Sequence, residues 1–456
     1  MNNIKRRQFL RSTAALSSGV MILPNLITTP ANEKLNIAFI GVGGRGGRNI
    51  KSCDIKEMGV ATNNIVALCD VSDERAAEGY EKYPKAKRFT DFRKMFDAMA
   101  DEIDAVVIST PDHTHFPATI AAMELGKHVY VEKPLAHNIW ELRTMKKAAA
   151  YYPDVITQMG NQGHTTNGIR QIKEWYEAGV LGEVEEVIAW FNGPHFSETG
   201  YFNKPEEFPP ATSSVPDGLD WDSWLGPRSD RGYSRYYLPK WWRGWYAFGN
   251  AEVGDWACHT LDAPFWTLDL GMPTSVESIA ARGGNDSFLP DSSHLQFNFP
   301  ARGNKAPVTM HWFEGGLVPQ NRPEWGLEKL EGSGMIMVGS KKSVMTGGRP
   351  NKPQLLVSEE EWKAFQKNPP AETIARVVEE DPQGEWIRAI KGTGPMCLST
   401  FDYGADLTEM ALVGVMAQRF HTTVEYDAEQ MKVTNHDFDR YIKEPVREGW
   451  SYGESL

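Results

Sequence analysis

A glycine-rich turn between a strand and a helix constrains the fold of this chain more than any other feature. Leu35–Ile40 is a short apolar segment, and three glycines follow it with the spacing G-x-G-x-x-G: Gly41, Gly43 and Gly46. In this pattern the first glycine permits a tight turn, the second lets the backbone approach a pyrophosphate, and the third lets the helix pack closely on the strand. The stretch therefore predicts a dinucleotide-binding site that also includes Gly44 and Arg45.

A second apolar segment, NNIVALCD, ends in an acidic residue, Asp70. A carboxylate at this distance beyond the glycines typically binds the ribose hydroxyls of the adenosine. It would repel the 2′-phosphate of NADP, and Val71 rather than an arginine follows it. We therefore predict NAD as the cofactor.

Strand-like and helix-like segments keep alternating after Asp70. IDAVVIST, KHVYVEKP and DVITQMG are typical of buried strands, whereas FPATIAAMELG and NIWELRTMKKAAAYY are typical of helices. The alternation predicts a parallel sheet with helices on both faces, and ligands of such sheets bind beyond the carboxyl ends of the strands. Two strand ends carry the other predicted cofactor-binding residues: Thr110, Pro111, His115, Glu132 and Lys133.

The length and charge of the chain limit its organisation and partners. Its 456 residues exceed one typical domain, and we predict a signal peptide (1–33), an NAD-binding Rossmann domain (34–157) and a C-terminal domain (158–456). A net charge of −12 disfavours nucleic acid and anionic lipid as partners. The cysteines form no CxxC pair and are expected to be small buried thiols: Cys53, Cys69, Cys258 and Cys397.

The N-terminal segment is typical of an export signal. It begins with Lys5, Arg6 and Arg7, and a modest apolar stretch follows up to Ile27. The paired arginines indicate the twin-arginine type, so we expect an exported, periplasmic protein. The stretch contains Ser, Thr and Pro and is a poor permanent span, and no other segment is long and apolar enough to cross a membrane.

The stretch GDWACHTLD places Asp255 and His259 four residues apart, which is just over one helical turn. The residues alone allow a buried structural pair, a metal site or half of an active site. No HExxH motif or cysteine cluster accompanies them, so we predict no metal.

Several motifs in order resemble one family. The glycine turn, STPDHTH, EKPLA, GDWACHTLD and STFDYGADLTEMAL are similar to motifs of the Gfo/Idh/MocA oxidoreductases, which include glucose–fructose oxidoreductase and inositol dehydrogenase. The resemblance implies an α/β chain, with a Rossmann domain followed by an α/β domain that has a large, open, mainly antiparallel sheet. It also implies that the C-terminal domain (158–456) is a substrate-binding and oligomerisation domain and that the protein is a homodimer or homotetramer. The segments GEVEEVIAWF, SHLQFNFPA, APVTMHWFEGG and SGMIMVGSKKSVMTGG are consistent with strands of such a sheet.

The resemblance also implies roles for individual residues. Lys133 is similar to the active-site lysine of the family, and Glu132 to the acidic residue that anchors the strand end. Asp255 and His259 match the catalytic D-x-x-x-H pair. In that pair His259 is the proton acceptor, and Asp255 could orient its ring or bind a neighbouring hydroxyl.

One position departs from the family pattern. His115 fits the histidine that follows the strand end, but Asp112 stands where asparagine is common. This difference concerns the local hydrogen bonding.

These features predict an NAD-dependent oxidoreductase that acts on a hydroxyl or keto group of a sugar, polyol or glycoside. An NAD-dependent glycosidase that oxidises C3 transiently needs the same residues and stays open as an alternative. A non-catalytic sugar or NAD sensor is less favoured, because a sensor needs no proton acceptor. Four polar or aromatic residues are predicted to reach the substrate: His164, Trp242, Arg243 and Trp245.

Overall fold

The structure is a computed structural model that describes residues 34–57, 60–330 and 332–456. The predicted signal peptide, residues 1–33, lies outside the described residues. In the part of the chain that the structure describes, no helix has the length and apolar character needed to span a membrane.

The first half of the described chain forms a parallel sheet. The strands of this half of the chain are β1 Leu35–Ile40, β2 Lys56–Glu57, β3 Val60–Ala61, β4 Asn63–Cys69, β5 Lys87–Phe89, β6 Ala105–Ile108, β7 His128–Glu132 and β8 Thr157–Gly160. β2 and β3 pair separately, and the six others form one sheet in the order β5-β4-β1-β6-β7-β8 with parallel pairing throughout. The central strands are apolar on both faces because helices cover both faces.

Two apolar cores flank this sheet. The helices that contribute to them are Arg45–Cys53, Asp73–Lys82, Phe92–Met99, His115–Glu124 and Ile139–Tyr151. Side chains of successive strand residues point to opposite faces, so Val106 and Val107 enter different cores. All four cysteines are free and buried, as predicted.

The second half is built on a nine-stranded sheet. Its strands are β9 Val184–Trp190, β10 Ser275–Arg282, β11 Ser292–Phe299, β12 Val308–Glu314, β13 Gly334–Gly339, β14 Val344–Gly347, β15 Gln354–Leu355, β16 Thr423–Asp427 and β17 Lys432–Val433. The order is β15-β14-β13-β9-β12-β11-β10-β16-β17, and every pair is antiparallel except β9 with β12. The predicted fold class, including the mainly antiparallel second sheet, is confirmed.

One long helix joins the two halves. Phe401–Phe420 packs against β8 and helix Ile139–Tyr151 on one side and against β10 and β11 on the other. The other helical segments of the second half are Asn167–Glu177, Trp221–Leu225, Val253–Ala257 (a π-helical turn), Cys258–Thr260, Asp262–Leu268, Glu359–Lys367, Pro382–Ile390 and Asp439–Ile442. This packing holds the ends of β7 and β8 against the segment that carries Asp255 and His259.

One helix from the second half of the chain packs on the first sheet. Helix Pro382–Ile390 comes late in the chain but packs on the first sheet, where the ring centroid of Trp386 lies 5.8 Å from that of Tyr130. The predicted boundary at residue 157 falls at the start of β8, which continues to Gly160. The extents of the domains otherwise stay predictions.

Candidate active site

A cavity of about 650 Å³ extends from the glycine turn to the segment that carries Asp255 and His259. Its walls therefore come from both halves of the chain. Most of the predicted site residues line it: Gly41, Gly43, Gly44, Arg45, Asp70, Thr110, Pro111, Glu132, Lys133, Trp242, Arg243, Asp255 and His259.

The glycine turn forms one end of the cavity. Gly41 has a φ of +83°, a backbone conformation that glycine adopts readily and other residues rarely do. A Cβ at Gly46 would lie 1.9 Å from the carbonyl oxygen of Gly41, so the helix that begins at Arg45 can approach β1 only without a side chain there. The turn and the free amides of this helix N-terminus fit the pyrophosphate of a dinucleotide.

Asp70 supports this turn as well as lining the cavity. Its Oδ2 accepts hydrogen bonds from the amides of Val42 (2.8 Å) and Gly43 (3.2 Å), and its Oδ1 accepts one from Ser72 (3.0 Å). Burial raises the pKa of Asp70, while these amides and the guanidinium of Arg75 oppose that rise. A carboxylate accepts more than one hydrogen bond on each oxygen, so Asp70 can bind ribose hydroxyls and hold the turn together.

Two polar residues tie the strand ends β6 and β7 to their surroundings. Glu132 is buried, accepts a hydrogen bond from Asn49 Nδ2 (2.9 Å) and lies 3.7 Å from Arg45 Nε. His115 is buried between two carbonyl oxygens, those of Pro134 (2.8 Å from Nδ1) and Thr110 (2.9 Å from Nε2). His115 therefore bridges the two strand ends from behind, and the Lys133–Pro134 peptide between them is cis.

Lys133 is paired with Asp255. Its ammonium group donates to the backbone oxygen of Asp255 (2.6 Å) and to the carboxylate Oδ1 of the same residue. Arg243 lies on the other side of this carboxylate, with its Nε 3.6 Å from Oδ1. Burial alone would raise the pKa of Asp255, but Lys133 and Arg243 outweigh it and hold the pKa below its ordinary value. Asp255 is therefore an ionised partner that fixes Lys133.

His259 is held by Asn161. Its Nδ1 lies 2.8 Å from Asn161 Oδ1, and Asn161 Nδ2 donates to the backbone oxygen of Cys258 (2.8 Å). Because the amide oxygen of Asn161 can only accept, Nδ1 of His259 must carry the proton. Nε2 is then the unprotonated nitrogen of a ring that lines the cavity, which is the state required of a general base.

Of the two roles left open for Asp255, the described residues do not show the first, a hydrogen bond that orients the ring of His259. Asp255 lies in the π-helical turn Val253–Ala257, whereas His259 lies in the following α-helical turn. Because a π-helical turn contains more residues than an α-helical turn, the two side chains point in different directions. Asp255 contacts Lys133, and His259 contacts Asn161. The two residues share one site without bonding to each other in the described structure.

The structure also bears on a metal at this site. In the described ranges no three His, Cys, Asp or Glu side chains are grouped so that they could hold a metal ion.

Two family models match the chain in succession. The first, described as an oxidoreductase family with an NAD-binding Rossmann fold, covers residues 35–159, and the second, described as an oxidoreductase family C-terminal alpha/beta domain, covers residues 166–288. Together they cover more than half of the chain. The chain belongs to the Gfo/Idh/MocA oxidoreductase family. The NAD-binding first domain predicted from the glycine turn and Asp70 is confirmed.

Curated relatives of this family member include glycoside hydrolases. A glycosyl hydrolase family 109 protein 1 of Shewanella sp. (strain ANA-3) is 32% identical over 215 residues, which are 40% of this chain and 45% of the relative. An alpha-N-acetylgalactosaminidase of Shewanella oneidensis is 32% identical over 172 residues, which are 31% of this chain and 36% of the relative. The chain thus spans less than half of the length of these relatives.

Solved structures of dehydrogenases share the fold of the chain. An inositol dehydrogenase homolog from Azotobacter vinelandii, in complex with NADH and myo-inositol, is 17% identical with a TM-score of 0.57 and covers 86% of this chain and 98% of its own. The WlbA dehydrogenase from Bordetella pertussis, in complex with NADH and UDP-GlcNAcA, is also 17% identical, with a TM-score of 0.58 and coverage of 87% and 99%. At this identity the likeness is one of fold.

Four predicted residues do not line the described cavity. Gly46 packs against Gly41, and His115 lies behind the strand ends. His164 is fully buried with its Nδ1 3.0 Å from Asp262 Oδ1, because the turn Gln162–Thr165 directs it away from the cavity. Trp245 is a core residue whose Nε1 donates to the backbone oxygen of Tyr236 (2.8 Å). His164 and Trp245 are therefore corrected from substrate contacts to structural residues.

Sequence reasoning missed four residues at the site. Asn161 bonds to His259, and Tyr201, Trp256 and Arg349 line the cavity. Asn161 directly follows β8, and residues beyond the carboxyl end of a parallel strand lie at the ligand edge of the sheet, so its position in the sequence could have indicated it. Tyr201 and Arg349 lie in loops with no motif around them, and only the folded chain brings them to the cavity.

Asp70→Ala should weaken NADH binding by roughly tenfold to a hundredfold, the usual effect of losing hydrogen bonds to a charged group. It should also reduce the preference for NADH over NADPH, because the charge that repels a 2′-phosphate is lost while Arg75 remains in the cavity. Fluorescence titration of both cofactors measures this. Asp70→Asn keeps one acceptor oxygen, enough for the amides of Val42 and Gly43 but not also for Ser72, and should retain more NADH affinity than the alanine variant. Equal or tighter NADPH binding by the native protein would contradict the assignment.

Activity should extend to lower pH than an ordinary histidine base allows. Burial, together with the charges of Lys133, Arg349 and Arg45, holds the pKa of His259 well below its ordinary value of 6.5. Since protonation inactivates a base, the acid limb of log(kcat/KM) against pH should begin below the range of an ordinary imidazole.

The control for this pH profile is Asp112→Asn. Burial raises the pKa of Asp112 to about 7, with Arg243 opposing it, so this carboxyl could add a break of its own. A break near pH 6.5 that persists in the Asp112→Asn variant would show that His259 is not the base or is not held as described.

Proposed function

We propose that this chain is an NAD-dependent oxidoreductase that oxidises or reduces a hydroxyl or keto group of a sugar, polyol or glycoside. The observation that carries the proposal is that Lys133 and the neutral ring of His259, with its Nε2 unprotonated, lie in one cavity with the glycine turn. A proton acceptor, a cation for the reacting oxygen and a dinucleotide site are what alcohol oxidation requires.

Each residue has a distinct part in the proposed reaction. His259 accepts the hydroxyl proton at Nε2, since its Nδ1 is engaged by Asn161. The ammonium group of Lys133 has three hydrogens and uses two on Asp255, which leaves one for the reacting oxygen. This hydrogen bond stabilises the alkoxide that develops as the proton leaves. When bound, NAD supplies the hydride acceptor.

The curated relatives favour a second candidate, an NAD-dependent glycosidase. In that reaction oxidation at C3 acidifies the C2 proton, the group at C1 leaves with its bonding electrons, water adds at C1 in its place, and reduction at C3 then leaves no net redox change. The shared sequence with a glycosyl hydrolase family 109 protein and an alpha-N-acetylgalactosaminidase is the observation behind it. The residues proposed for the first reaction serve the second equally well.

A panel of aryl and alkyl glycosides, free sugars and polyols tests the proposal, with NADH absorbance and released aglycone recorded together. Net NADH formation supports the dehydrogenase. Aglycone release that needs NAD but leaves no NADH supports the glycosidase. Binding of a sugar with neither product would overturn both and favour a sensor.

We propose that the chain is exported to the periplasm by a twin-arginine signal in residues 1–33. Support comes from the basic start and apolar stretch of that segment. Because this route carries folded proteins, NAD would be bound before export. Replacing Arg6 and Arg7 by lysine should leave the protein in the cytoplasmic fraction, and an unchanged periplasmic fraction would contradict the proposal.

We propose that the protein is a homodimer or homotetramer that pairs through the open face of the second sheet. Support comes from the alternation of buried and half-exposed residues along β11 and β12, and from Ile279 of β10, which is 45% exposed. Light scattering should give a multiple of the chain mass of 51.2 kDa. A monomer mass at micromolar concentration would contradict the proposal.

A further inference from the structure

The reactive end of the cavity carries more positive than negative charge. Its cations are Lys133, Lys240, Arg243 and Arg349. Three carboxyl groups line the same end, Asp112, Glu132 and Asp255. Asp255 is engaged by Lys133 and Arg243, and Glu132 lies 3.7 Å from Arg45. Within the described residues, neither Lys240 nor Arg349 forms an ion pair with any carboxylate.

The backbone on both sides of Arg349 is fixed to the catalytic segments. The carbonyl oxygen of Gly348 accepts a hydrogen bond from Thr260 Oγ1 (2.9 Å), and Thr260 is the neighbour of His259. The carbonyl oxygen of Pro350 accepts one from Thr166 Oγ1 (2.9 Å). Arg349 is therefore positioned relative to His259 by hydrogen bonds on either side and does not lie on a free loop.

The side chain of Arg349 packs over the ring of Trp256. Its guanidinium carbon lies 4.9 Å from the ring centroid of Trp256, and that ring stacks on Phe191 at 4.1 Å. A guanidinium that stacks on a ring through its face keeps its N–H groups free at the edge, where they can bind a carboxylate or sulfate with two parallel hydrogen bonds. Leaving such a half-buried charge unpaired is unfavourable, and a bound anion would remove that cost.

We propose that Arg349, assisted by Lys240, binds an anionic group on the substrate, so that the carbohydrate carries a carboxylate or a sulfate. This rests on the proposed function, since it names the substrate class of the same site. The pyrophosphate of the cofactor has its own partners in the amides of the glycine turn, whereas Arg349 comes from the second half of the chain and lies beside His259. Arg349 also lies within electrostatic reach of Arg45 and Glu132 at the cofactor end of the cavity, but its connection to the His259 segment through Gly348 and Thr260 favours a group on the substrate.

The experiment compares matched sugars on the NAD-loaded full chain. Methyl glucuronide, methyl glucoside and glucose 6-sulfate are titrated by calorimetry, and their turnover is followed in parallel. The native protein should bind at least one charged sugar roughly tenfold to a hundredfold more tightly than the neutral glucoside. The tighter of the two charged sugars identifies the carboxylate or the sulfate as the preferred group.

The variants locate this preference. Arg349→Gln should abolish it, so that the charged sugars bind no more tightly than the glucoside, and Arg349→Lys, which keeps the charge but not the planar fork, should retain part of it. Arg322→Gln is the matched control, because it makes the same substitution at an arginine outside the cavity. Arg322 forms its ion pair with Glu186 on the second sheet. If Arg349→Gln does not fold, as judged by its melting temperature, the lysine variant decides.

Three results would overturn the inference. The charged and neutral sugars could bind the native protein equally well, in which case NADH formation from the neutral sugar would still support the proposed function. Arg349→Gln could weaken NAD binding with the sugar preference intact, which would assign Arg349 to the cofactor. The third overturning result is that neither charged sugar binds the native protein. If the native protein turns over none of the sugars but still binds a charged sugar more tightly in calorimetry, the proposed function is contradicted and the anion site is supported.

Discussion

His259→Asn should lower kcat by roughly 10²–10⁴, the usual contribution of a general base. The asparagine keeps a polar side chain in the pocket but provides no nitrogen that can accept the hydroxyl proton. NADH affinity should hardly change, because the glycine turn and Asp70 are untouched. The melting temperature should fall only slightly, since the lost hydrogen bond to Asn161 contributes about 1 kcal/mol to the free energy of unfolding. Steady-state kinetics, NADH titration and thermal unfolding of one preparation give all three results.

Two further variants sharpen this test. Asn161→Ala removes the acceptor that fixes the proton on Nδ1, so kcat should fall by less than in His259→Asn and the pH profile should shift. His128→Asn is the matched control, because His128 begins β7 at the opposite end of the strand from Lys133 and accepts a hydrogen bond from the amide of Ile156 (3.0 Å). A His259→Asn protein that unfolds early yet turns over normally when folded would mean that His259 is structural.

The glycine turn shows which parts of the fold could be predicted. Its spacing is dictated locally, because only glycine fits at Gly46 against the carbonyl of Gly41. β1, β6 and β7 are predicted for a similar reason, since continuous apolar runs of this length belong to buried strands. Helix Phe401–Phe420 is harder to predict, because it is buried on nearly every side and lacks an amphipathic period.

The candidate site was predictable only where one short segment determines it. Lys133 ends a strand and so lies at the ligand edge of the sheet whatever the rest of the chain does. Asn161 and His259 are far apart in sequence, and their hydrogen bond depends on how the two halves pack. His164 shows why the prediction failed. Asn161 and His164 lie three residues apart, yet Asn161 contacts His259 whereas His164 contacts Asp262.

Lys133→Met should affect activity and stability together, unlike His259→Asn. Removing the donor to the developing oxyanion should cost roughly 10²–10³ in kcat. It also leaves the largely buried carboxylate of Asp255 with Arg243 alone, so the free energy of unfolding at pH 7 should fall by somewhat less than the roughly 3–5 kcal/mol typical of breaking a fully buried ion pair. Urea unfolding and steady-state kinetics measure the two effects.

The pH dependence of the stability loss identifies its cause. In the native protein the pKa of Asp255 is below its ordinary value, so its stabilising contribution is present above about pH 4 and is lost only as the pH falls through the lowered pKa. In Lys133→Met burial should raise that pKa, and protonation then relieves the penalty as the pH falls. The difference in unfolding free energy between native and variant protein should therefore be largest near pH 7 and shrink towards pH 4.

The double variant Lys133→Met/Asp255→Asn separates the structural role of Lys133 from its catalytic role. Because it removes the buried carboxylate together with its partner, it should recover much of the stability lost in Lys133→Met. It should not recover turnover, since the donor to the reacting oxygen is gone and Arg243, the remaining cation beside residue 255, lies on the other side of that side chain. Lys133→Arg should keep the stability, because the charge beside Asp255 remains, but it moves the donor and should stay slow. Recovery of both stability and turnover in the double variant would show that Lys133 only neutralises Asp255, and the proposed chemistry would then lose its oxyanion donor.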